Sequence, residues 1–412
     1  MSDVDTPNAN QRLDAQETRE SGVKIAIVST MAGSPWGGSE DLWALMAQEA
    51  LAAGHQVAIS VYRWPTAPPK LARLARQGAR VSRRRRSRWP SVETVATRLL
   101  QRPLALPARL PWPSAFQALA DFRPDVICIS QGNTYGALDR GDLLRWLRRA
   151  AAPYVVVSQA NDEVPIASGL RRQAIPFWAA ASRLVFVSSH NLQAAEHQLA
   201  RHLANGVVVQ NPVNIDDQTP VPWPPPGPVR LANVGRLQTD AKGQDVLFAA
   251  LSTPAWRDRP WQLSLFGEGP DKEYLQTLAD HYAIAGRVAF RGQVGDIRAI
   301  WAESDLLVLP SRVEGTPLAL VEAMLCGRPA VVTDVGGNGE WIAEGHTGFV
   351  AEAPTARSFG AALERAWHRQ SAWPQMGIDA HAKAVSQLDP TPGRTLLRVV
   401  LAAVGAHEQT LQ

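Results

Sequence analysis

Residues 305–329 constrain the fold of this 412-residue chain more strongly than any other stretch. They begin with a short apolar run at 305–310 (DLLVLP), which predicts a buried strand. Thr316-Pro317 then marks a helix start with proline at the first helical position, and the apolar spacing beyond it predicts a helix that stops at Gly327. A buried strand followed within a few residues by a helix is one unit of a parallel α/β sheet.

Two glutamates accompany this helix start, because Glu314 precedes the helix and Glu322 lies within it. A helix N-terminus after a parallel strand favours anions such as phosphate. Carboxylates at the same place repel phosphate but accept strong hydrogen bonds from hydroxyl groups. The combination indicates a phosphorylated sugar or a nucleotide sugar. The alternative interpretation is a solvated pair of helix-end acids without a ligand.

Strand and helix patterns alternate along the rest of the chain, which predicts two α/β domains with parallel sheets. The predicted strands lie at 24–29, 56–61, 125–130, 153–158 and 183–188, and again at 230–234, 262–266, 288–291, 306–309 and 330–333. Between the two series, the proline-rich segment 220–228 predicts a stiff linker. The predicted domains are a disordered tail at 1–21, an N-terminal domain at 22–219, a C-terminal domain at 229–390 and a final helix at 391–412.

Composition excludes several classes of protein. No run reaches the roughly 18–20 uninterrupted apolar residues of a membrane span, and residues 1–21 lack the apolar core of a signal peptide. The two cysteines, Cys128 and Cys326, lie in apolar patterns, so we expect core residues rather than a disulfide or a metal site. These features favour a cytoplasmic protein.

The basic charge is concentrated in one segment, since residues 70–89 hold nine lysines and arginines and no acid. Leu71 and Leu74 predict a short amphipathic helix there. Such a segment can dock on an anionic membrane surface, which would place the protein on the inner face of the membrane. A solvated loop is the alternative. No RNA- or DNA-binding module accompanies the run, so nucleic acid is not an expected partner.

Glycines and cations follow the predicted strands. Gly37 and Gly38 come between the first strand and its helix, where they let backbone approach a ligand. In the second half, Arg236 follows a strand, and Lys242 comes six residues later at the predicted start of a helix. The arginine fork and the lysine charge suit phosphate oxygens. With both cations and the amides of 315–318 available, and with no Asp-x-Asp pair after a strand, we predict that neither a metal nor another cofactor is required.

In order and spacing, the C-terminal half resembles the family 4 glycosyltransferases, which retain anomeric configuration and have the GT-B fold. The resemblance is close over 229–350 and loose over 22–390. It is carried by Gly235-Arg236, Lys242, FGEGP at 266–270, Arg291-Gly292, DVGGNGE at 334–340 and the Glu314-x7-Glu322 signature. It implies two Rossmann-like domains facing a central cleft, with the last helix crossing back to the N-terminal domain.

The resemblance also implies an activity and its residues. The implied reaction moves a hexose-type sugar from a nucleotide diphosphate to a glycan or lipid-linked acceptor, in synthesis of surface polysaccharide, lipopolysaccharide or glycolipid. Arg236 and Lys242 would bind the diphosphate, Glu314 the donor sugar, and Glu322 the ribose hydroxyls. Further donor contacts are implied for Gly37, Gly38, Gly235, Gly267, Val294, Gly315, Thr316, Pro317 and Leu318.

One position departs from the family pattern. Many relatives carry a histidine after the fourth strand of the N-terminal domain, near the sugar O6, where this chain has Gln159 and Asn161. Either amide could donate the same hydrogen bond uncharged. Alternatively, the donor lacks that hydroxyl or the site is degraded. Two other functions therefore stay open: a non-catalytic GT-B-like protein that binds nucleotide or glycan beside another transferase, and another GT-B enzyme such as a sugar-nucleotide epimerase.

Overall fold

The structure is a computed structural model that describes residues 22–85 and 115–411. The predicted tail at 1–21 and residues 86–89 of the basic run lie outside the described residues. Two parallel sheets, one of seven strands and one of six, form the framework. The predicted architecture of two doubly wound α/β sheets is confirmed.

The first sheet has its strands in the order β3-β2-β1-β4-β5-β6-β7. Its strands are β1 (Lys24–Ser29), β2 (Gln56–Tyr62), β3 (Arg80–Arg84), β4 (Val126–Gln131), β5 (Tyr154–Ser158), β6 (Arg183–Phe186) and β7 (Gly206–Val208). The helices between them are α1 (Gly38–Ala52), α2 (Pro69–Arg76), α3 (Gln117–Phe122), α4 (Gly141–Ala150), α5 (Ser168–Ala179) and α6 (Ser189–Leu199). The strand order reverses between β1 and β4, so the ends of these two strands form a switch point, where doubly wound sheets bind ligands.

The second sheet repeats this plan in the order β10-β9-β8-β11-β12-β13. Its strands are β8 (Val229–Val234), β9 (Trp261–Phe266), β10 (Val288–Gly292), β11 (Leu306–Leu309), β12 (Ala330–Thr333) and β13 (Gly348–Ala351). Its α-helices are α7 (Thr239–Lys242), α8 (Gln244–Leu251), α9 (Pro254–Arg257), α10 (Lys272–His281), α11 (Ile297–Ala302), α12 (Leu318–Leu325), α13 (Asn338–Trp341), α14 (Ala356–Trp367) and α15 (Trp373–Gln387). Here the order reverses between β8 and β11, which places the loops after Val234 and Leu309 at the second switch point.

The last helix, α16 (Pro392–Leu411), packs on the first sheet rather than the second. Leu396, Leu397 and Val400 are buried in one cluster with Ile25 of β1 and Leu42 of α1. The chain therefore returns to the first sheet after the second is complete. The domain boundaries themselves stay a prediction.

The sequence suggested a short helix or a solvated loop for the basic run, whereas the structure shows a helix followed by a strand. Its first part forms α2, whose Leu71 and Leu74 are buried, and its second part forms β3, an edge strand paired with β2. Arg84 is buried under this edge, with its guanidinium hydrogen-bonded to the carbonyl oxygens of Ser29 and Ser60. The ring of Tyr62 lies 4.7 Å from that guanidinium. Arg84 is thus a core residue, not part of a basic surface.

The central strand–loop–helix unit forms as predicted, with one shift at its start. Helix α12 begins at Leu318, and Pro317 is its N-cap rather than its first helical residue. Its apolar residues from Leu320 onward are buried, which agrees with a helix between a sheet and α15. It ends before Gly327, whose φ of +75° is the left-handed conformation that favours glycine at a helix end.

Candidate functional site

A cavity of about 460 Å³ lies where the two switch points face each other. It is lined by the loops after β1, β4, β5 and β7 on one side and by those after β8 and β11 on the other. Most of the residues predicted from the sequence line it: Gly37, Gly38, Gln159, Gly235, Arg236, Lys242, Glu314, Gly315, Thr316, Pro317, Leu318 and Glu322. Asn161, Gly267 and Val294 do not appear in its lining.

Two helix N-termini meet at this cavity. The first residue of α1, Gly38, lies so close to the first residue of α12 that a β-carbon on it would be 2.7 Å from Leu318 Cδ1. Backbone amides at the first turn of a helix lack intrahelical partners and carry partial positive charge. The two helices therefore bring unpaired N–H groups and favourable dipoles to one place, which suits an anion.

Two cations border the same region. The Arg236 guanidinium is exposed and reaches across the cleft, since a β-carbon on Gly33 of the β1–α1 loop would lie 3.5 Å from Arg236 Nη1. Lys242 ends the short helix α7, directly before α8, rather than opening a helix as predicted. Its ammonium donates to Glu314 Oε1 at 2.7 Å. One lysine has three donors, so two remain for an anion.

Glu314 is buried at the mouth of this arrangement. Its Oε1 also accepts a hydrogen bond from Ser311 Oγ at 2.6 Å, so both side-chain contacts end on one carboxylate oxygen. The Lys242 ion pair and the Ser311 hydroxyl compensate burial of the charge. The second oxygen, Oε2, is left to interact with a ligand in the cavity.

Glu322 is in a different electrostatic environment. Its carboxyl lines the cavity and is buried, and no residue in the described part of the chain donates a hydrogen bond to it. Desolvation by burial raises its pKa to about 8. A ligand that presents hydroxyl donors would compensate the ionised form, which is what paired ribose hydroxyls provide.

The two sheets touch closely beside Glu314. A β-carbon on Gly315 would lie 1.9 Å from the Gln159 carbonyl oxygen, so only glycine permits this approach. An antiparallel β-bridge joins Asn161 to Glu314 next to it. This contact, which we call the seam, holds the loop after β5 against the loop that carries Glu314.

The structure gives Asn161 a different place from the one predicted. Its side chain is buried and exchanges two hydrogen bonds with Gln198 of α6, at 3.0 and 2.9 Å. Asn161 Oδ1 also accepts from the Glu163 amide at 2.7 Å. Because these contacts use the amide, Asn161 orders the loop after β5 and does not face the cavity.

Gly267 and Val294 support the site from outside its lining. Gly267 has a φ of +137°, and a β-carbon on it would lie 2.0 Å from the Gly235 carbonyl oxygen, so it shapes the loop that carries Arg236. Val294 packs against the core beneath β8 and β11. Neither residue is placed to contact a ligand inside this cavity.

The sequence did not reveal the contacts of the loop at 334–340. Glu163 accepts a hydrogen bond from the Gly336 amide at 2.9 Å and lies 3.0 Å from His190 Nε2. The His190 amide donates to Glu340 Oε1 at 2.7 Å. The pair raises the pKa of His190 and lowers that of Glu163. A β-carbon on Gly336 would also lie 2.3 Å from the Glu314 carbonyl oxygen, so the loop packs against both Glu314 and the N-terminal domain. His190 lies in this contact and not in the cavity lining.

Asn211 is a further cavity residue that sequence reasoning missed. It follows β7, and a lone asparagine before a proline has the pattern of an ordinary turn. Its backbone N–H donates to Thr316 Oγ1 at 3.2 Å, and its side-chain Nδ2 donates to Gln159 Oε1 at 2.8 Å. Only the fold brings residues 159, 211 and 316 together.

Within residues 22–85 and 115–411, histidine, cysteine and acidic side chains do not gather in groups of three or more that could hold a metal ion. None of the helices in these ranges has the length and hydropathy needed to cross a membrane.

Comparison with known proteins agrees with the geometry. Residues 228–369 match the family described as Glycosyl transferases group 1. N-acetyl-alpha-D-glucosaminyl L-malate synthase of Bacillus anthracis is 40% identical over 122 residues, 30% of this chain and 32% of that protein. Alpha-D-kanosaminyltransferase of Streptomyces kanamyceticus is 27% identical over 221 residues, 53% of this chain and 52% of that protein. The chain thus spans about a third to a half of the length of these curated relatives.

Solved structures match over almost the whole chain. The crystal structure of Anabaena Alr3699/HepE in complex with UDP has a TM-score of 0.64 at 18% identity, covering 94% of this chain and 99% of that one. The same Anabaena protein has also been crystallised with UDP-glucose. At this identity the likeness establishes the fold, which is GT-B: two Rossmann-like domains that face a cleft.

Proposed function

We propose, from the premise that this chain belongs to the GT-B superfamily, that it is a retaining glycosyltransferase of the family 4 type. It would transfer a hexose-type sugar from a nucleotide diphosphate to a glycan or lipid-linked acceptor. The observation that carries the proposal is the cavity in which two helix N-termini and two cations face two buried carboxylates. This combination complements a molecule with an anionic centre and hydroxyl groups.

The anion-binding end of the cavity would assist departure of the nucleotide. Cleavage of the anomeric carbon–oxygen bond places negative charge on the terminal phosphate. The amides at the starts of α1 and α12, with Arg236 and Lys242, would stabilise that charge where it develops, which is commonly the largest catalytic contribution. Lys242 would divide its donors between Glu314 and the phosphate.

The two carboxylates account for recognition of the neutral groups. Glu322 would accept hydrogen bonds from the ribose hydroxyls, since its carboxylate has no other described donor. Glu314, held by Lys242 and Ser311, would offer its free oxygen to a sugar hydroxyl. Gly38, Ser39 and the backbone N–H groups of Gly315, Thr316 and Leu318 would surround the phosphates.

Retention follows if the acceptor attacks from the face that the leaving phosphate vacates. A new bond forms between the acceptor oxygen and the anomeric carbon, the bond to the phosphate oxygen breaks, and the acceptor proton passes to that phosphate oxygen. Among the described lining residues, the acids are Glu314 and Glu322, and each already has another role. The leaving phosphate is therefore the base that the site supports best.

The basic surface of the N-terminal domain, where the acceptor would bind, is proposed to meet an anionic membrane. Residues of α2 and β3 expose Arg73, Arg76, Arg80 and Arg83, whereas Arg84 is internal. Basic side chains near an anionic membrane contribute about 1 kcal/mol each to binding. This surface would hold the protein at a membrane where a lipid-linked acceptor is presented, for synthesis of a surface glycan or glycolipid.

The test is release of nucleotide from UDP-, GDP- and ADP-sugars, measured with the intact chain in the presence and absence of EDTA. The proposal expects turnover of one nucleotide class, no loss on chelation, and an α-linked product from an α-linked donor. An inverted product would overturn retention, and loss of activity with EDTA would overturn metal independence. Binding of a nucleotide sugar without turnover, with every acceptor class supplied, would favour the non-catalytic alternative.

A further inference from the structure

Gln159 and Asn211 each leave one buried polar atom without a partner. Their side chains are joined by a single hydrogen bond of 2.8 Å, from Asn211 Nδ2 to Gln159 Oε1. Gln159 Nε2 and Asn211 Oδ1 then have no hydrogen-bond partner among the described residues. Both residues are 5% exposed, and both line the cavity.

The pairing leaves one donor and one acceptor whichever way the two amides are oriented. A primary amide carries an N–H₂ group at one end and a carbonyl oxygen at the other. Exchanging nitrogen and oxygen in both side chains preserves the bond between them and again leaves one N–H donor and one oxygen acceptor. The conclusion therefore does not depend on how each amide nitrogen and oxygen was assigned.

The pair is held rigidly at the seam between the sheets. The backbone N–H of Gln159 donates to the backbone carbonyl of Gln131 at 3.1 Å, and the backbone carbonyl of Gln159 lies against Gly315. The backbone N–H of Asn211 donates to Thr316 Oγ1. The Thr316 hydroxyl in turn donates to the backbone carbonyl of Val187 at 2.8 Å. A fixed and buried polar group without a partner destabilises the protein, and a suitable ligand group offsets that cost.

We propose that Gln159 and Asn211 form an amide pair that reads hydroxyl groups of the transferred sugar; this rests on the proposed function. A hydroxyl both donates and accepts, so it complements a free N–H and a free oxygen side by side. A carboxylate only accepts and an ammonium group only donates, so each would leave one amide atom facing a like group. The pair therefore selects a neutral, hydroxylated sugar over a uronic acid or a sugar with a free amine.

The position of the pair favours the sugar over the nucleotide. Gln159 touches Gly315 and Asn211 touches Thr316, the two residues that follow Glu314. Glu314 is the proposed sugar contact, whereas Glu322 lies eight residues further along the chain, about one turn into α12.

The test uses Gln159→Met and Asn211→Leu, singly and combined, which replace the amides by apolar groups of similar size. Gln262→Met, at an exposed position on β9, is the matched control. Calorimetric titrations compare UDP, GDP and ADP with the glucose conjugate of each, and then the 2-, 3-, 4- and 6-deoxy forms of whichever conjugate binds the parent best. Thermal unfolding checks that each variant folds; in the double variant, loss of the two buried atoms without partners should leave the melting temperature unchanged or raise it.

The inference expects the parent to bind the full sugar about tenfold or more tightly than one of the deoxy forms. In the double variant this preference should vanish, while affinity for the nucleotide without sugar changes by less than about threefold. If the double variant still binds nucleotide and still prefers the full sugar over the deoxy form, the role of the amide pair is refuted while the proposed function stands. Failure of the parent to bind any nucleotide would overturn the proposed function and the inference with it.

Discussion

The buried carboxyl of Glu322 should make the stability of the protein depend on pH in a specific way. Burial raises its pKa from 4.5 to about 8 in the folded chain. Between these two values the folded protein holds a proton that the unfolded chain has released. The unfolding free energy therefore falls as pH rises through this window, and it falls no further above pH 8.

The size of the effect follows from the linkage relation. One extra proton on the folded state gives a slope of about 1.4 kcal/mol per pH unit, or about 2 kcal/mol between pH 5.5 and 7. Glu322→Gln removes this proton and should unfold with a flatter pH dependence, gaining stability relative to the parent as pH rises. Glu40, whose pKa burial raises to about 7, contributes equally to both proteins and cancels in the difference.

The assay is denaturant unfolding of the parent and Glu322→Gln at half-unit pH steps, with the exposed Glu352→Gln as control. Nucleotide-sugar binding supplies the opposite sign. Hydroxyl donors favour the ionised carboxylate, so affinity should rise with pH by up to about tenfold per unit and level off near pH 8. Parallel stability curves for parent and Glu322→Gln would refute the raised pKa, and affinity independent of pH would refute the hydroxyl contact.

Three further outcomes are expected. Arg236→Ala should lower turnover about 10²-fold by loss of charge stabilisation on the leaving phosphate, whereas the exposed Arg257→Ala should not; a loss below about threefold in Arg236→Ala would make Arg236 a surface residue. Gly315→Ala should abolish turnover, because its β-carbon would meet the Gln159 carbonyl at 1.9 Å, while Gly286→Ala meets nothing within 4 Å; an active Gly315→Ala enzyme would show that the seam is not needed. Replacing Arg73 and Arg76 with glutamine should weaken binding to phosphatidylglycerol vesicles, whereas the same change at 148–149 on α4 should not, and equal binding would remove the membrane surface.

The strands that position the site were predictable because their apolar runs are short, buried on both faces and bounded by glycine or proline. The Arg236, Lys242, Glu314 and Glu322 group was predictable because each follows a strand end or lies in the next helix, where the topology brings them together. The α/β architecture needed no more than these patterns.

Other features depend on contacts that a linear pattern does not contain. β3 was missed because its sequence, RVSRR, looks solvated, yet Arg84 is buried beneath aromatic rings and carbonyl groups. β13 was missed because its four residues, Gly348–Ala351, are too few for the sequence pattern to distinguish a strand from a loop. Gln159 and Asn161 both carry side-chain amides, and the sequence does not distinguish them. In the structure, Asn161 hydrogen-bonds to Gln198 away from the cavity, whereas Gln159 hydrogen-bonds to Asn211 in the cavity lining.

The most direct test of the central claim is titration of the intact chain with UDP, GDP and ADP and their sugar conjugates in EDTA, beside Glu322→Ala. The account predicts that one nucleotide class binds the parent, stabilising it by about 2.7 kcal/mol at 100 times its dissociation constant. Glu322→Ala, still folded, should lose this binding. Equal affinity of parent and variant, or no nucleotide bound by the parent at all, would contradict the assignment of the cavity to a nucleotide sugar.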